Sequence, residues 1–380
     1  MAATATALYG LADRLRVTWA QEARQLEAAA LRRAVDSGIA LLLAAHRPGT
    51  PEPTIVPPDR YANLLARVGL HCAPWGLYDL CWAQAVSLDG LDTFRREYLL
   101  GAGDPARAPV LTVVNEGDLI DVGGTTAIRG LVRVPGGRFG IYGGGDLPPG
   151  THDLTAARTT PPPQRLPALA TERIGGLLAS RPTVLEAHEA AADVLAGRVV
   201  QIDPLRLTGR TLVVATDRIE VSAGNLPVDL LLVAPHITLR SGLRGRVQAI
   251  ASDSLYVGAA VSLTEGSGLV LRNPTRRLHL PETASVAGAI VDMEGERGVG
   301  VALSAGSRVR GVVYTPRGAV LDGEVAGMVF AQQIATTVDG VARPRLLGRA
   351  RLRGDTLGAV RPSVLSFGGG ERPSSNYRIY

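Results

Sequence analysis

The sequence contains no lysine, and all 40 of its basic residues are arginines. They are distributed among 35 acidic residues, so the formal net charge is only +5 over 380 residues. Aromatic residues make up 4% of the chain. A nucleic-acid interface needs a clustered basic surface with aromatic side chains that stack on bases. The sequence shows neither feature, and we expect no nucleic-acid partner.

The sequence also has no apolar run of the roughly 18–20 residues that a membrane-spanning helix requires. Met1 is followed by Ala2–Leu8, without the basic segment that precedes the apolar core of a signal peptide. Two locations therefore stay open. The protein is cytoplasmic if Met1 is the natural start, and it belongs to the cell envelope or extracellular surface if an N-terminal segment precedes it. In the second case we expect membrane contact only through that segment.

Cysteine and metal-ligand patterns are sparse. The two cysteines, Cys72 and Cys81, lie 81 − 72 = 9 positions apart on either side of a predicted turn. In an exported protein they could form a disulfide that contributes about 2–3 kcal/mol, and otherwise they are two buried thiols. Six histidines have no metal-ligand spacing, so we expect no metal site and no cofactor. They are His46, His71, His152, His188, His236 and His279.

A short motif recurs through the second half of the chain: an aliphatic residue, any residue, glycine, any residue, then Val or Ile. Its glycines are Gly197, Gly245, Gly288, Gly311 and Gly327, with an outlying copy at Gly130. The later copies are 311 − 288 = 23 and 327 − 311 = 16 residues apart. A repeat of this length, rich in β-branched runs and glycine turns, predicts a parallel β-solenoid.

The predicted fold is mainly β, an irregular parallel β-helix preceded by one long N-terminal α-helix. A short helix is predicted from Thr183 to Ala196, where Thr183 and Glu186 form a capping box. Five segments follow from these patterns. They are a helical stem at 1–46, a small β-rich region that begins the solenoid or packs on its end at 47–145, a Pro-rich loop with the short helix at 146–196, the β-helix at 197–340, and a cap with a tail at 341–380.

The N-terminal helix carries apolar residues three or four positions apart, from Leu8 through Ala23 to Leu26. We interpret the larger ones as an assembly stripe, and they are Leu8, Leu11, Leu15, Trp19 and Leu26. A helix of this length extends about 60 Å, which is too long for one small domain to cover. We expect its first half to project, or to pack against other copies or partners. An ordinary amphipathic or coiled-coil helix remains an alternative.

Residues 21–26 and 34–41 resemble the part of a type IV pilin-like, or minor pilin-like, helix that follows the membrane span. The prepilin cleavage site and the apolar span of that family are not in the printed sequence. The resemblance implies a place in the cell envelope. It also implies that the helix binds other envelope or pilus proteins, or further copies of this chain.

The segment Val233–Gly258 resembles a rung of uncharacterised Bacteroidota-type surface β-helix proteins. Pro74–Asp79 and Gly124–Gly130 resemble earlier landmarks of the same group. This resemblance implies a fold and a surface location, and no activity. A weaker similarity to bactofilin-like β-helices implies a scaffold that polymerises by stacking solenoid ends.

Two clusters are candidates for chemistry. His236, Asp253 and Ser254 contain the residue types of a hydrolytic triad, but no Gly-x-Ser-x-Gly elbow accompanies them. We interpret Asp253 and Ser254 as part of a hydrogen-bonded turn between coils. The second cluster would suit the catalytic groove of a polysaccharide lyase or hydrolase, although we interpret it as a loop between coils. It contains Asp292, Glu294, Glu296 and Arg297.

We therefore predict no catalytic residues. The expected function is a non-enzymatic structural or surface-presentation protein of the cell envelope, associated with a pilus. A carbohydrate-binding or carbohydrate-cleaving β-helix and a bactofilin-like scaffold are the alternatives.

Overall fold

The computed structural model describes residues 2–45, 66–87, 89–100, 109–114, 119–147, 150, 152–163, 165–169, 171–179, 193–295, 297–354 and 365–366. Side chains are described over the same residues except 2–13, 43–45, 66 and 365–366. The chain divides into two compact units. The first contains residues 1–73 and 80–98, and the second contains residues 74–79 and 99–378.

The first unit combines one long helix with a three-stranded sheet. Its helix is α1 (Ala2–Ala45), and its strands are β1 (Ala66–Trp75), β2 (Tyr78–Ser87) and β3 (Thr93–Leu100), paired in that order. A two-residue connection joins β1 to β2, which permits only antiparallel pairing. Gly38 allows the helix to approach the sheet, because an added Cβ would lie 2.9 Å from the side chains of Val68 and Leu70.

The second unit is a parallel β-solenoid of about 11 turns. Its early strands are β4 (Leu111–Val113), β5 (Ile120–Val122), β6 (Ala127–Arg133), β7 (Phe139–Ile141), β8 (Asp153–Thr160) and β9 (Ala168–Leu169), and they are followed by helix α2 (Thr171–Ala179). The next strands are β10 (Asp193–Ile202), β11 (Thr211–Val221), β12 (Gly224–Asn225), β13 (Leu230–Leu239), β14 (Leu243–Gly245), β15 (Val247–Val257) and β16 (Ser262–Leu271).

Strands continue to the end of the described chain. They are β17 (Leu278–Leu280), β18 (Ser285–Asp292), β19 (Val299–Leu303), β20 (Arg308–Leu321), β21 (Glu324–Val338), β22 (Val341–Pro344), β23 (Leu346–Leu347), β24 (Arg351–Arg353) and β25 (Leu365–Ser366). The predicted fold class, a parallel β-helix behind a long N-terminal helix, is confirmed.

One column of side chains runs through the core along the whole solenoid. Successive strands place one residue each in this column, as register partners from rung to rung. In order they are Leu195, Val213, Leu232, Ala249, Leu269, Ile290, Val313, Val329, Leu111, Val132 and Thr159. Every member between the two ends is 0% exposed. Burial of this continuous apolar row is the main force that holds the rungs together.

The last three glycines of the motif stack in one column of the rungs. Gly288, Gly311 and Gly327 are register partners on β18, β20 and β21, with φ of 155°, 141° and 147°. A Cβ added at Gly311 would overlap the backbone oxygen of Gly288, and one added at Gly327 would overlap that of Gly311. Only glycine suits a left-handed backbone position this close to the next rung.

Two of the other copies lie elsewhere. Gly245 pairs with Leu263 in another column, and Gly197 does not adopt a positive φ. The outlying copy, Gly130, has a φ of 131° and follows Arg129, which the register aligns through Arg353 with Ala326. Gly130 therefore lies in the same column as Gly327, whereas Gly197 and Gly245 share the motif without sharing the position.

The early strands lie at the far end of the solenoid. β4 pairs with β21, β6 with β4 and with β24, and β8 with β6. Residues 47–145 were expected either to begin the solenoid or to pack on its end. The segment that contains β4 and β6 does not begin it. It extends the end that follows β21, because its backbone completes the ladder that β21 leaves open.

Three local expectations were wrong. The Pro-rich segment contains strand β8 and helix α2, because the alternating residues of β8 pair with β6. The short helix predicted at Thr183–Ala196 is strand from Asp193 onward, because β10 pairs with β11 there, and 183–192 lies outside the described residues. The segment after 341 was expected to be a cap, yet β24 lies inside the stack between β21 and β6.

Opposite charges on neighbouring rungs stabilise the register outside the core. Arg246 donates to both carboxylate oxygens of Asp229 at 2.8 Å, and Arg210 lies 3.8 Å from the same carboxylate. Glu324 lies 3.9 Å from Arg308 and 3.0 Å from Arg353, on the rungs to either side. Because identical charges would repel in a parallel stack, alternating signs favour this register over a slipped one.

Candidate functional site

Helix α1 has two apolar stripes on opposite faces. Leu31, Val35, Ile39 and Leu42 are buried, at a spacing of three or four residues. At 100° per residue these four positions centre on the side of the helix opposite to Leu15, Trp19 and Leu26. The C-terminal half of the helix is therefore covered on one face by its own unit, whereas residues 14–26 are exposed on every side of the helix.

The stripe on the N-terminal half is uncovered. Leu15, Trp19 and Leu26 are 52%, 72% and 68% exposed. The backbone at Leu8 and Leu11 is helical, but the side chains of these two lie outside the described residues. None of the described helices is both long and apolar enough to cross a membrane.

The three-stranded sheet of the first unit contains the disulfide. The structure joins Cys72 and Cys81 across β1 and β2, with Cα atoms 4.0 Å apart. One residue further from the turn, His71 stacks on Trp82 at a centroid distance of 5.4 Å, and Arg95 of β3 lies over the Trp82 ring at 4.8 Å. His71 therefore takes part in a stacked cross-strand row of side chains.

The structure brings His236, Asp253 and Ser254 together. His236 of β13 is the register partner of Ser254 on β15. Its Nδ1 lies 2.8 Å from Ser254 Oγ, and its Nε2 lies 3.4 Å from Asp253 Oδ2. Asn273 Nδ2 donates to Asp253 Oδ1 at 2.6 Å. A parallel solenoid produces this cluster because 254 − 236 = 18 residues make one turn.

Solvent exposure and the neighbouring groups limit the chemistry that this cluster can perform. A histidine that accepts at Nδ1 and donates from Nε2 could polarise the Ser254 hydroxyl, with Asp253 orienting the ring. The side chains of His236 and Asp253 are 41% and 47% exposed, so water competes for every bond. Acyl transfer also needs donors aimed at the oxyanion, and the contacts described around Ser254 include none.

Asp292 does not face a groove. Its carboxylate accepts from Arg317 Nε at 2.8 Å and Nη2 at 2.7 Å, and from Thr315 Oγ1 at 2.6 Å. Asp292 is 0% exposed and Arg317 is 2% exposed. The same guanidinium donates to the carbonyl oxygens of Pro274 and Arg276, both at 2.6 Å. Asp292 therefore belongs to an internal clamp, which sequence patterns did not reveal.

The rest of the acidic cluster is dispersed. Glu294 accepts from Arg272 Nε at 2.5 Å in an exposed ion pair, and Arg297 is exposed. Glu296 lies outside the described residues. No group of metal-ligating side chains occurs among the residues that the structure describes. Elsewhere, His279 Nε2 lies 2.8 Å from Ser304 Oγ, and burial, followed by the charge of Arg277, lowers the pKa of that histidine.

The landmark segment Pro74–Asp79 has a structural role in the second unit. The backbone N–H of Leu77 donates to Gln248 Oε1 at 2.7 Å, and Gln248 Nε2 donates to the carbonyl oxygen of Trp75 at 3.1 Å. Tyr78 Oη donates to the carbonyl oxygen of Ser267 at 3.1 Å. Trp75 and Leu77 are buried. The recognisable residues of this segment therefore fix a turn against β15 and β16.

Comparisons with known proteins add little to this geometry. No protein-family model matches the chain, and no curated protein matches it in sequence. Among solved structures, the competence-associated pilin ComZ from Thermus thermophilus superposes with 10% sequence identity over 87% of each chain, at a TM-score of 0.23. A similarity at this level carries no argument about fold or function.

Proposed function

We propose that this protein is a non-enzymatic structural component of the cell envelope, minor pilin-like or pilus-associated, that assembles through the N-terminal half of α1. The observation that carries the proposal is the uncovered stripe of Leu15, Trp19 and Leu26. It lies opposite the face of α1 that its own unit buries. The helix therefore offers a second apolar face that a partner can cover.

The spacing and size of the stripe favour a helical partner. Its members are 19 − 15 = 4 and 26 − 19 = 7 residues apart, which is the spacing of one seam of a helix bundle. Covering each of these side chains contributes about 1–2 kcal/mol. An exposed apolar row of this kind is typical of an interaction surface.

The disulfide supports an envelope location. Disulfides form and persist in oxidising compartments and are rare in the cytosol. The bond between Cys72 and Cys81 is thus the expected state of an exported protein. The Ser254 cluster supports a structural role, because its side chains are register neighbours whose hydrogen bonds join two adjacent rungs.

The proposal is tested by sedimentation of the full chain and of a helix variant with Leu15, Trp19 and Leu26 all changed to Glu. The wild type is expected to self-associate, or to bind other filament components, and the variant to lose this binding. The matched control changes Thr18, Gln21 and Gln25 to Glu. These positions are exposed on another side of the same helix segment, so the control adds the same charge and is expected to bind.

A second measurement addresses location. In cells that carry the gene, the protein is expected in the envelope fraction, with the Cys72–Cys81 bond formed, and in sheared surface filaments. Recovery only from the cytosol with two free thiols would contradict the envelope assignment. Equal loss of binding in the variant and in its control would contradict the assignment of the stripe.

A further inference from the structure

Arginines that are scattered in the sequence come together on one outer face of the solenoid. On the rungs of β20, β21, β24, β6 and β8 the register aligns two columns of positions. The first column contains Arg308, Glu324, Arg351, Ala127 and Asp153. The second contains Arg310, Ala326, Arg353, Arg129 and Ala156. Both columns face outward, because the residues between them on the first four rungs are buried, namely Val309, Val325, Leu352 and Ile128.

Bases outnumber acids on this face. Arg310 pairs with Glu265 at 2.8 Å. The other four arginines form what we call the basic strip, and they are Arg308, Arg351, Arg353 and Arg129. Two acids serve them, since Glu324 lies 3.0 Å from Arg353 and 3.9 Å from Arg308, and Asp153 lies 3.3 Å from Arg129. Among the residues that the structure describes, no ion pair involves Arg351, which is exposed.

The middle of the basic strip stacks like charges on each other. Arg353 and Arg129 are direct register partners, on neighbouring strands about 4.8 Å apart. Their side chains are 63% and 68% exposed. Like charges directly opposite each other destabilise a pair of strands. Elsewhere the solenoid avoids this arrangement, as where Asp229 lies between Arg210 and Arg246. An anion bound at the strip would remove the repulsion.

We propose that the basic strip binds an acidic polysaccharide, a polymer of sugars that carry carboxylate groups, laid along the outside of the solenoid. A guanidinium group donates two parallel hydrogen bonds to a carboxylate, which gives direction as well as attraction. The rungs repeat every 4.8 Å or so, about the spacing of neighbouring strands, and this is close to the length of one sugar unit. Successive carboxylates can therefore meet arginines of successive rungs. The proposal concerns the solenoid and does not depend on α1.

The face suits a polymer of carboxylates better than a nucleic acid. Proteins hold single strands through aromatic side chains that stack on the bases, in addition to basic groups. No aromatic residue occupies either of the two columns. A duplex is bound through many phosphate contacts at once, whereas four arginines and two acids leave the strip with a net charge of only 4 − 2 = +2.

The experiment measures binding of the full chain to polygalacturonate by titration calorimetry at low salt. Changing Arg129, Arg351 and Arg353 together to Gln should raise the Kd by about 10-fold or more, because three exposed charge contacts are lost. The matched control changes Arg218, Arg276 and Arg277 to Gln. These arginines are also exposed, and Arg218 belongs to the column of His236 on another face. The control loses the same charge and should bind as the wild type does.

A single variant separates binding from folding. Arg351→Gln should weaken binding of polygalacturonate without lowering the melting temperature, because the guanidinium makes no ion pair within the described structure. Binding should also weaken as the salt concentration rises, and neutral dextran should not bind. No binding of polygalacturonate at low salt, equal binding of dextran, equal loss in the control, or tighter binding of DNA than of polygalacturonate would each overturn the proposal. Because α1 is unchanged throughout, none of these outcomes bears on assembly through the helix.

Discussion

Replacing Arg317 with methionine removes the cation of a buried ion pair and keeps much of the apolar stem. The guanidinium holds Asp292 through two hydrogen bonds and also binds two carbonyl oxygens of the segment 273–276. The variant leaves the Asp292 carboxylate at 0% exposure with only Thr315 as a donor. Breaking a buried pair in this way costs about 3–5 kcal/mol of unfolding free energy.

The carboxylate makes this cost dependent on pH. Burial raises the pKa of Asp292 above its ordinary value of 3.8, while hydrogen bonds from Arg317 and Thr315 oppose that shift. Without Arg317 the opposition weakens, and the folded-state pKa rises further. A raised folded-state pKa means that the folded protein binds a proton which the unfolded chain has released, so stability falls as the pH rises above the unfolded value. The loss caused by Arg317→Met is therefore expected to be larger at about pH 8 than at about pH 5.

The assay is urea denaturation followed by circular dichroism, together with amide hydrogen exchange over residues 272–277. The matched control is Arg272→Met, which breaks the exposed pair with Glu294 and should cost under about 1 kcal/mol. Adding Asp292→Asn to Arg317→Met removes the stranded charge and should recover part of the loss. A cost for Arg317→Met no greater than that of the control, or no recovery in the double variant, would refute the assigned role of the clamp.

Three further predictions concern other parts of the chain. Reduction of the Cys72–Cys81 bond should lower the unfolding free energy by about 2–3 kcal/mol, as denaturation with and without reductant would show, and a thiol assay that detects free cysteines in protein purified without reductant would contradict the bond. Gly311→Ala should cost about 3–5 kcal/mol, because a Cβ there overlaps the preceding rung. Gly340→Ala also has a positive φ but open space around it, so equal melting points for the two variants would argue against the overlap. Burial, with a smaller contribution from Asp292, raises the pKa of Tyr314 from 10.0 to about 12, and absorbance titration should show one late-ionising tyrosine that Tyr314→Phe abolishes. Since the unfolded tyrosine ionises first, this residue makes the fold lose stability as the pH rises from 10 towards 12.

The sequence predicted part of the cluster formed by His236, Asp253 and Ser254. His236, Asp253 and Ser254 were identifiable as residue types, and the structure places them together because one turn of the solenoid separates them. A spacing of 18 residues falls within the repeat length that the glycine motif indicates, so rung length was the signal for their proximity. The side chains of the cluster are partly exposed to solvent, which weakens a catalytic interpretation. This exposure depends on the surrounding side chains and cannot be predicted from the spacing of the three residues.

The clamp and the end strands had weaker signals. Arg317 and Asp292 lie 317 − 292 = 25 residues apart, close to one rung, but charged residues occur along the whole chain and most of them are exposed. β8 and β10 contradict local expectations because pairing with β6 and β11 outweighs the turn and helix propensities of those segments. Pairing between strands that are distant in the sequence cannot be predicted from a short segment of either strand.

By itself, the sequence determined the repeat, the long helix and the class of fold, because apolar periodicity and glycine spacing are local properties that a ladder of parallel strands requires. It also determined the apolar stripe on the first half of α1, since residues three or four positions apart lie on one helix face. Only the tertiary structure decided that another face, in the second half of the helix, is the one that its own unit covers. It likewise decided that β4, β6 and β8 extend the end that follows β21, and that β10 lies at the opposite end of the same sheet. The physical reason is that both results depend on contacts between residues far apart in the sequence. The same pattern of apolar residues is compatible with several orders of strands and with more than one covered helix face.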